Sequence, residues 1–374
     1  MDRNYVTIPV AMFFNQFVVS PFRAFLVIVL DELGYTAYEI GTIVAIGDLS
    51  ALLGSIIGAA VSDHIGRRYS SFIGRSMNAA GMFLMYMFFT HKLLFVASFA
   101  LYQMGLLWAR AASYILMGET SESRVNFGAY SLAINDLGGL LGLLIFVKAL
   151  NGFEAVEIFR DFMPLRTLSA TISAIAILLS RETSRVRKGA RLKITKSLLA
   201  YLLLIAFVFF GIAISRTFSP LYAKYVIGIS DDLWGKISMI SIGVEALFFF
   251  AISRLNLTAI KSAILGLLSY SSLAFLVVAR PTKISAIVGF GILSPGFTAF
   301  FRPALLDLDI SITDPSVRGR LISIIFMFRR LGLMGGRIAG ARIFVINPAL
   351  VMVIPVVTMG LGLAGIIKTA ERRF

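Results

Sequence analysis

The chain has 374 residues, 58% of them hydrophobic, and its mean hydropathy is +0.87. Soluble domains of this length use apolar residues at about half of their positions and interrupt them with polar faces, so this composition excludes a soluble fold. The formal charge is +15, and the absence of cysteine excludes disulfides, thiolate metal sites and cysteine catalysis.

Apolar runs of about 20 residues, the length that crosses a bilayer, recur along the chain. Twelve are predicted as transmembrane helices, at 7–30, 39–61, 69–90, 93–117, 127–148, 162–180, 197–221, 232–252, 260–279, 283–306, 317–341 and 348–367. The first run is too long for a signal peptide and lacks a small-residue cleavage site, so we expect a retained helix. The sequence therefore predicts an all-α, multi-pass membrane protein with short loops.

The positive charge is distributed unevenly between the loops. When both termini are placed in the cytoplasm, cytoplasmic segments hold more Lys and Arg than outer loops, which fits the positive-inside rule. The longest basic segment, 181–196, holds seven basic residues and one acid. We therefore assign the charge to membrane topology and anionic lipid headgroups rather than to nucleic acid, and expect a plasma-membrane protein.

The two halves of the chain repeat with an offset of 194 residues, the separation of Gly34 from Gly228. The matching landmarks are 33–41 with 227–235, Arg124 with Arg318, Gly138 with Gly332 and Gly142 with Gly336. Transporter folds are commonly built from such repeats, with the substrate site between them near the bilayer midplane. We expect two six-helix bundles, 1–180 and 197–374, joined by the basic linker 181–196.

Residues 54–69 read GSIIGAAVSDHIGRRY, a hydrophobic helix end that runs into a charged turn. This pattern resembles the loop between helices 2 and 3 of the major facilitator superfamily of secondary transporters. The acid-then-arginine pair Glu119 and Arg124, echoed by Asp314 and Arg318, also resembles that family. The resemblance covers the whole chain in architecture, although 254–261 is a degenerate second copy of the turn. Helix 5 also lacks the Gly-Pro of many drug–proton antiporters.

The resemblance implies a role for the charged turn as a conformational latch. In the family, the turn's aspartate approaches the N-terminus of helix 11, predicted here near Pro315, when the cytoplasmic side is closed. Free amides and the positive end of the helix dipole would attract an anion there. The alternative is a simple positive-inside turn. We favour the latch, formed by Asp63, Gly66, Arg67, Arg68, Glu119 and Arg124, with Glu122 as a further partner for the arginines.

Ionisable side chains inside membrane helices are costly and are therefore functional candidates. The ten considered are Arg23, Asp48, Arg110, Asp136, Arg216, Glu245, Arg302, Arg329, Arg330 and Arg337. Helices 1, 4, 7 and 10, which line the cavity in the family, each carry one arginine suited to carboxylate or phosphate binding: Arg23, Arg110, Arg216 and Arg302. The pattern is similar to facilitators that exchange organic phosphates for phosphate. Asn15 and Gln103 are predicted as polar substrate contacts.

The three acids allow more than one role. Asp136 and Glu245 are predicted at about the depth of Arg110 and Arg302, and Asp48 at about that of Arg329 and Arg330. Three roles are open for these acids. They neutralise the nearby arginines, form salt bridges that break and re-form at gates during alternating access, or carry the protons whose movement is coupled to transport. Arg337 is expected to extend its charge toward the interface.

The leading hypothesis is a secondary active transporter that moves a small organic or inorganic anion by alternating access, with proton symport or exchange. The alternative is a proton-coupled drug or metabolite exporter with Asp48, Asp136 or Glu245 as the proton carrier. A sensor or lipid scramblase on the same scaffold also stays open. An enzyme is disfavoured, because the only histidines, His64 and His91, lie in loops and no nucleophile–base pair is visible. We expect no cofactor, no metal and a monomer, with the Gly-x-x-x-Gly spacings used for packing within each bundle.

Overall fold

The computed structural model describes residues 3–120, 124–150, 154–182, 195–252, 257–312 and 318–371. Within these ranges the chain forms fourteen α-helices and no strand, which confirms the all-α prediction. They are α1 (Asn4–Glu32), α2 (Ala37–Ile65), α3 (Arg67–Met87), α4 (Lys92–Thr120), α5 (Arg124–Ala149), α6 (Ala155–Asp161), α7 (Met163–Leu178), α8 (Lys196–Tyr222), α9 (Asp231–Ile252), α10 (Ala259–Ala279), α11 (Lys283–Val288), α12 (Ser294–Ile312), α13 (Arg318–Ile346) and α14 (Leu350–Glu371).

Two pairs of helices combine, so the fourteen helices correspond to the twelve predicted spans. α6 and α7 meet at a bend of 40°. The π-helical segment Gly289–Leu293 joins α11 to α12, and another, Ala223–Ile227, continues α8. Among the described residues, seven helices are long and apolar enough to cross a membrane by themselves, and an eighth span results if the bent pair counts as one.

Polar residues inside the helices explain why some spans are weak in hydropathy. In α3, Ser70, Ser71, Arg75 and Asn78 are all buried, so the polar face points into the protein. Large apolar side chains elsewhere point outward, as Phe275 does with 76% of its surface exposed. This inversion of the soluble pattern is expected where lipid surrounds the chain. The protein is therefore a multi-pass membrane protein.

Contacts divide the chain into two compact units. The first contains Met1–Val29 and Ile46–Arg187, and the second contains Leu30–Ala45 and Lys188–Phe374. The end of α1 and the start of α2 therefore group with the second unit, although both lie within the predicted bundle 1–180. The division into bundles at 181–196 stays a prediction.

Glycines bring helix backbones into contact inside the first unit. A Cβ added at Gly138 or Gly142 of α5 would collide with the carbonyl oxygens of Phe13 or Phe17 on α1. Gly54 of α2 lies in the same way against the carbonyl oxygen of Met104 on α4. These close approaches are the use that small residues have in membrane helix packing. The predicted packing role of these two motifs is confirmed.

The second unit repeats this packing. Gly332 and Gly336 of α13 lie against the carbonyl oxygens of Ala206 and Phe210 on α8. α13 begins 194 residues after α5, and α9 begins 194 residues after α2. Gly34 and Gly228 both have a positive φ, of 79° and 73°, in the turns that precede α2 and α9. The repeat predicted from the sequence is therefore visible in the structure.

Candidate functional site

A small polar pocket lies inside the second unit, between α8, α10, the π-helical segment Gly289–Leu293 and α12. Its walls contain Ser215, Arg216, Ser219, Tyr270 and Ser294 as polar residues, and Ile212, Leu273, Phe290, Phe297 and Met352 as apolar ones. The π-helical segment places Phe290 on this wall, and Ser294 follows at the first residue of α12. π-helical turns frequently occur at functional sites. We refer to this pocket as the Arg216 pocket.

Hydrogen-bond donors are in excess in the Arg216 pocket. Arg216 is exposed to the pocket, and its Nη2 donates one hydrogen bond of 3.0 Å to the Oγ1 of Thr298. The Tyr270 side chain is buried beside Ser215, and both residues line the same pocket.

The charge around Arg216 is positive. Arg302 and Arg337 both act electrostatically on Arg216, and Glu245 is the acid in the same group. The Nη1 of Arg302 donates to the Oε1 of Glu245 over 3.3 Å. The structure thus brings the predicted pair Arg302 and Glu245 together, and Glu245 is the one carboxylate among the described groups that act on Arg216. Arg337 also donates to the carbonyl of Val44 at 2.8 Å.

The other two predicted substrate arginines lie in the first unit. Arg23 is exposed and Arg110 is half-buried, and both act electrostatically on the buried phenol of Tyr102. Asn15 and Gln103 are also half-buried, on α1 and α4 of this unit. Asp136 accepts a hydrogen bond of 3.0 Å from its neighbour Asn135, and Asp48 is buried.

Two buried arginines of the first unit were missed by the sequence argument, although both lie inside its predicted spans 69–90 and 162–180. Arg75 is held by neutral groups: its Nη1 donates to the carbonyl of Ala11 at 3.1 Å and to the hydroxyl of Ser173, and its Nη2 donates to Ser113. Arg166 is fully buried among aromatic rings. A complete count of arginines inside the spans would have found them.

Arg329 has a partner that the sequence did not suggest. Its Nη2 donates to both carboxylate oxygens of Asp309, at 2.8 and 2.6 Å, and the hydroxyl of Tyr201 donates to the same carboxylate at 2.6 Å. Asp309 escaped the sequence argument because the predicted span ended at 306, whereas α12 continues to Ile312. Asp309 is therefore an ion-pair partner of Arg329 inside the second unit, and the predicted pairing of Asp48 with Arg329 and Arg330 stays a prediction.

The charged turn after α2 has an unexpected partner. Gly66 has a φ of 92° and precedes α3, whose first two amides, of Arg67 and Arg68, donate to the carboxylate of Glu182 at 3.0 and 2.9 Å. An acid at this position satisfies free amides and complements the helix dipole. The side chains of Asp63, Glu119, Glu122 and Arg124 and residues 313–317 lie outside the described residues, so the latch stays a prediction.

The sequence matches no protein-family model, and no curated protein matches it. Several solved structures are similar to this chain in fold. The nucleoside transporter NupG aligns over 98% of this chain and 99% of its own, with a TM-score of 0.74 at 13% identity. The xylose transporter XylE from E. coli, in a partially occluded inward-open conformation, aligns over 98% and 97%, with a TM-score of 0.76 at 13% identity. Another XylE structure, with a TM-score of 0.75 at 14% identity, is described as a proton:xylose symporter of the major facilitator superfamily and covers 98% and 95% of the two chains.

The chain has the major facilitator fold. A peptide transporter of the POT family has the same fold, with a TM-score of 0.76 at 11% identity over 100% of this chain and 97% of its own. These structural neighbours are transporters rather than enzymes. Because a major facilitator fold accommodates nucleosides, xylose and peptides in these neighbours, the fold does not define the substrate, and the side chains of each protein must do so.

Proposed function

We propose that this protein is a secondary transporter that moves a small organic or inorganic anion across the plasma membrane by alternating access. The major facilitator fold supports transport as the activity. The observation that carries the substrate class is the Arg216 pocket, where an exposed guanidinium has a neutral threonine as its hydrogen-bond partner. We also propose that both termini are cytoplasmic, which the distribution of loop charge supports.

The chemistry of the pocket favours carboxylate or phosphate over a neutral or cationic solute. Arginine presents several donors in a planar fork that matches two oxygens of such an anion. Ser294 and Tyr270 line the same space and offer hydroxyl groups to the remaining oxygens. The hydroxyls of Ser215 and Ser219 donate to the carbonyls of Ile212 and Ser215. The aromatic and aliphatic wall limits water, which strengthens each charged interaction.

The ion pair between Arg302 and Glu245 supplies a candidate coupling element. An anion bound near Arg216 would compete with Glu245 for the positive charge of Arg302, because the three groups interact electrostatically. The released carboxylate could then take up a proton, which is proton symport, or the anion could be replaced by a second anion, which is exchange. Asp48 and Asp136 are further candidate proton carriers.

A ligand screen on the purified protein tests the proposal. Inorganic phosphate, a sugar phosphate, succinate, xylose, a nucleoside and a cationic drug are compared by thermal unfolding at constant ionic strength. A ligand at a hundredfold excess over its Kd stabilises the folded state by about 2.7 kcal/mol. We expect stabilisation by at least one anion, its loss in Arg216→Ala, and its retention in the control Arg280→Ala, which removes an exposed arginine at the end of α10.

Uptake into proteoliposomes then separates the coupling modes. Acceleration by an imposed proton gradient supports symport, and acceleration only by internal counter-substrate supports exchange. If cationic drugs or neutral compounds alone stabilise the protein, the anion proposal is refuted. The proton-coupled exporter of the same fold then becomes the better hypothesis.

A further inference from the structure

A cluster of charged side chains lies within the second unit, where the end of α1 meets the π-helical segment Ala223–Ile227. Lys224 of that segment donates to Asp31 at 3.4 Å and to Glu32 at 3.3 Å, the last two residues of α1. The hydroxyl of Tyr225 donates to the same carboxylate oxygen of Asp31. Asp31 and Tyr225 are 194 residues apart, which is the offset of the repeat, so equivalent positions of the two halves contact each other.

A third carboxylate completes the cluster. Asp231 is the first residue of α9, and its side chain shares a hydrogen bond with Glu32. Two carboxyl groups can share a hydrogen bond only when one of them carries a proton, because an ionised carboxylate has no donor. Lys224 acts on Glu32 as well. We refer to Asp231 and the four residues above as the Glu32 clasp.

The Glu32 clasp lies outside the predicted membrane spans. Its residues follow the spans 7–30 and 197–221 or directly precede the span 232–252. The side chains of Glu32 and Lys224 are 22% and 25% exposed, so water reaches the clasp. With both termini in the cytoplasm, as proposed above, this water belongs to the outer side of the membrane.

The clasp fastens one end of the segment Leu30–Ala45, which belongs to the second unit although the residues before and after it belong to the first. At the other end, a Cβ on Gly41 would lie 2.8 Å from the carbonyl oxygen of Arg337 on α13. The Arg337 side chain donates to the carbonyl of Val44 at 2.8 Å. The α2 end of the segment is thus held by packing and a hydrogen bond to the backbone, and the α1 end by charge.

One proton determines the charge of the clasp. Burial and the hydrogen bond with Asp231 raise the pKa of Glu32 from its ordinary value of 4.5 to about 7, although Lys224 lowers it. With the proton bound, the clasp holds two carboxylates and one ammonium group; without it, there are three carboxylates, and Glu32 repels Asp231. Because the pKa is raised in the closed clasp, the stabilisation is complete below pH 4.5 and is lost as the pH rises to about 7.

Other acids on the neighbouring elements have contacts of their own. Asp232 pairs with Lys236 on α9 at 2.6 Å. On α2, Glu39 accepts hydrogen bonds from the amide and the hydroxyl of Thr36. Asp232 therefore offers a control of equal charge beside the clasp.

We propose that the Glu32 clasp is a pH-sensitive switch for the segment Leu30–Ala45: one proton shared by Glu32 and Asp231 holds the end of α1 on the second unit, and its loss as the outer solution approaches neutrality releases that end. This inference goes beyond the proposed function, because it adds regulation by the pH of the outer solution. It does not depend on the identity of the transported solute.

A distance measurement between two spin labels tests the switch. The chain contains no cysteine, so two introduced cysteines can be labelled selectively. They replace Tyr38, exposed on α2 within the segment, and Ile284, exposed on α11 of the same unit. Pulsed double electron–electron resonance on the purified full-length protein gives the label distances at several pH values. We expect the ratio of a longer to a shorter distance to rise at least about tenfold from about pH 5 to about pH 7 and then to level off, since each unit of pKa difference contributes tenfold.

Three substitutions in the doubly labelled chain identify the group that titrates. Glu32→Gln cannot lose a proton and retains a donor for Asp231, so the ratio should stay low and independent of pH. Asp231→Asn removes the carboxylate that shares the proton, so the rise should shrink several-fold. The control Asp232→Asn removes the same charge one residue away and should keep the wild-type rise.

The outcomes are decisive in both directions. A ratio that does not change with pH in the wild-type background overturns the inference, and so does a wild-type rise in Glu32→Gln, since another group would then titrate. Loss of the rise in Asp232→Asn also overturns it, because the effect would then follow net charge rather than the shared proton. If Glu32→Gln fails to fold, Asp231→Asn decides: an undiminished rise refutes the switch, and a diminished one supports it.

Discussion

Breaking the buried pair between Asp309 and Arg329 should destabilise the protein strongly. In Arg329→Met the carboxylate of Asp309 loses two hydrogen bonds, of 2.8 and 2.6 Å, and retains the hydroxyl of Tyr201. The two paired side chains are only 10% and 4% exposed, so water cannot replace the lost partner. Removal of one member of a buried pair typically costs about 3–5 kcal/mol in the free energy of unfolding.

Replacement of both members should cost much less. The double variant Asp309→Asn with Arg329→Met leaves no buried charge at this position, and such replacements are often close to neutral. We therefore expect a coupling energy of at least about 2 kcal/mol between the two substitutions. Asp232 and Lys236 provide a matched control: they approach equally closely, at 2.6 Å, but are 37% and 57% exposed. Their coupling should stay below about 0.5 kcal/mol.

Reversible unfolding in mixed detergent micelles, followed by tryptophan fluorescence, gives the free energies for both double-mutant cycles. The reasoning is refuted if Arg329→Met costs less than about 1 kcal/mol, or if the two buried substitutions are additive. It is also refuted if the exposed pair couples as strongly as the buried one, because burial would then not determine the energy. Transport activity is measured in parallel to detect a functional role of the pair.

Two further substitutions test the packing and the charged turn. Gly54→Ala should lower the melting temperature, because its Cβ would collide with the backbone of Met104, whereas Gly243→Ala, which has open space, should not; equal behaviour of the two variants would refute the close-packing argument. Glu182→Gln should cost about 1 kcal/mol through a weaker cap on α3, and Asp161→Asn, at the exposed last residue of α6, should cost nothing measurable. A cost below about 0.3 kcal/mol for Glu182→Gln would contradict the capping role.

The sequence alone determined the class of fold and the order of its elements. Transmembrane helices follow from hydropathy over about 20 consecutive residues, and such a local property needs no knowledge of neighbours. Gly34 and Gly228 both have a positive φ, and the matching sequences around them, 33–41 and 227–235, had already identified the two turns as equivalent. Hydropathy also assigned Arg23, Arg110, Arg216 and Arg302 to their helices, because it defines the helices that contain them. The predicted span ended at 306, whereas α12 ends at Ile312, because the charged last turn lowers the local hydropathy. Asp309 therefore lay outside the predicted span.

Only the tertiary structure decided which side chains meet. Glu182 contacts the amide of Arg67 across 115 residues of sequence, and Tyr201 contacts Asp309 across 108. Such pairs depend on the rotation and approach of separate helices, which composition and periodicity do not encode. The aromatic surroundings of Arg166 come from several elements as well. The sequence thus determines which charges enter the membrane, and the packing of the helices determines which of them meet a partner.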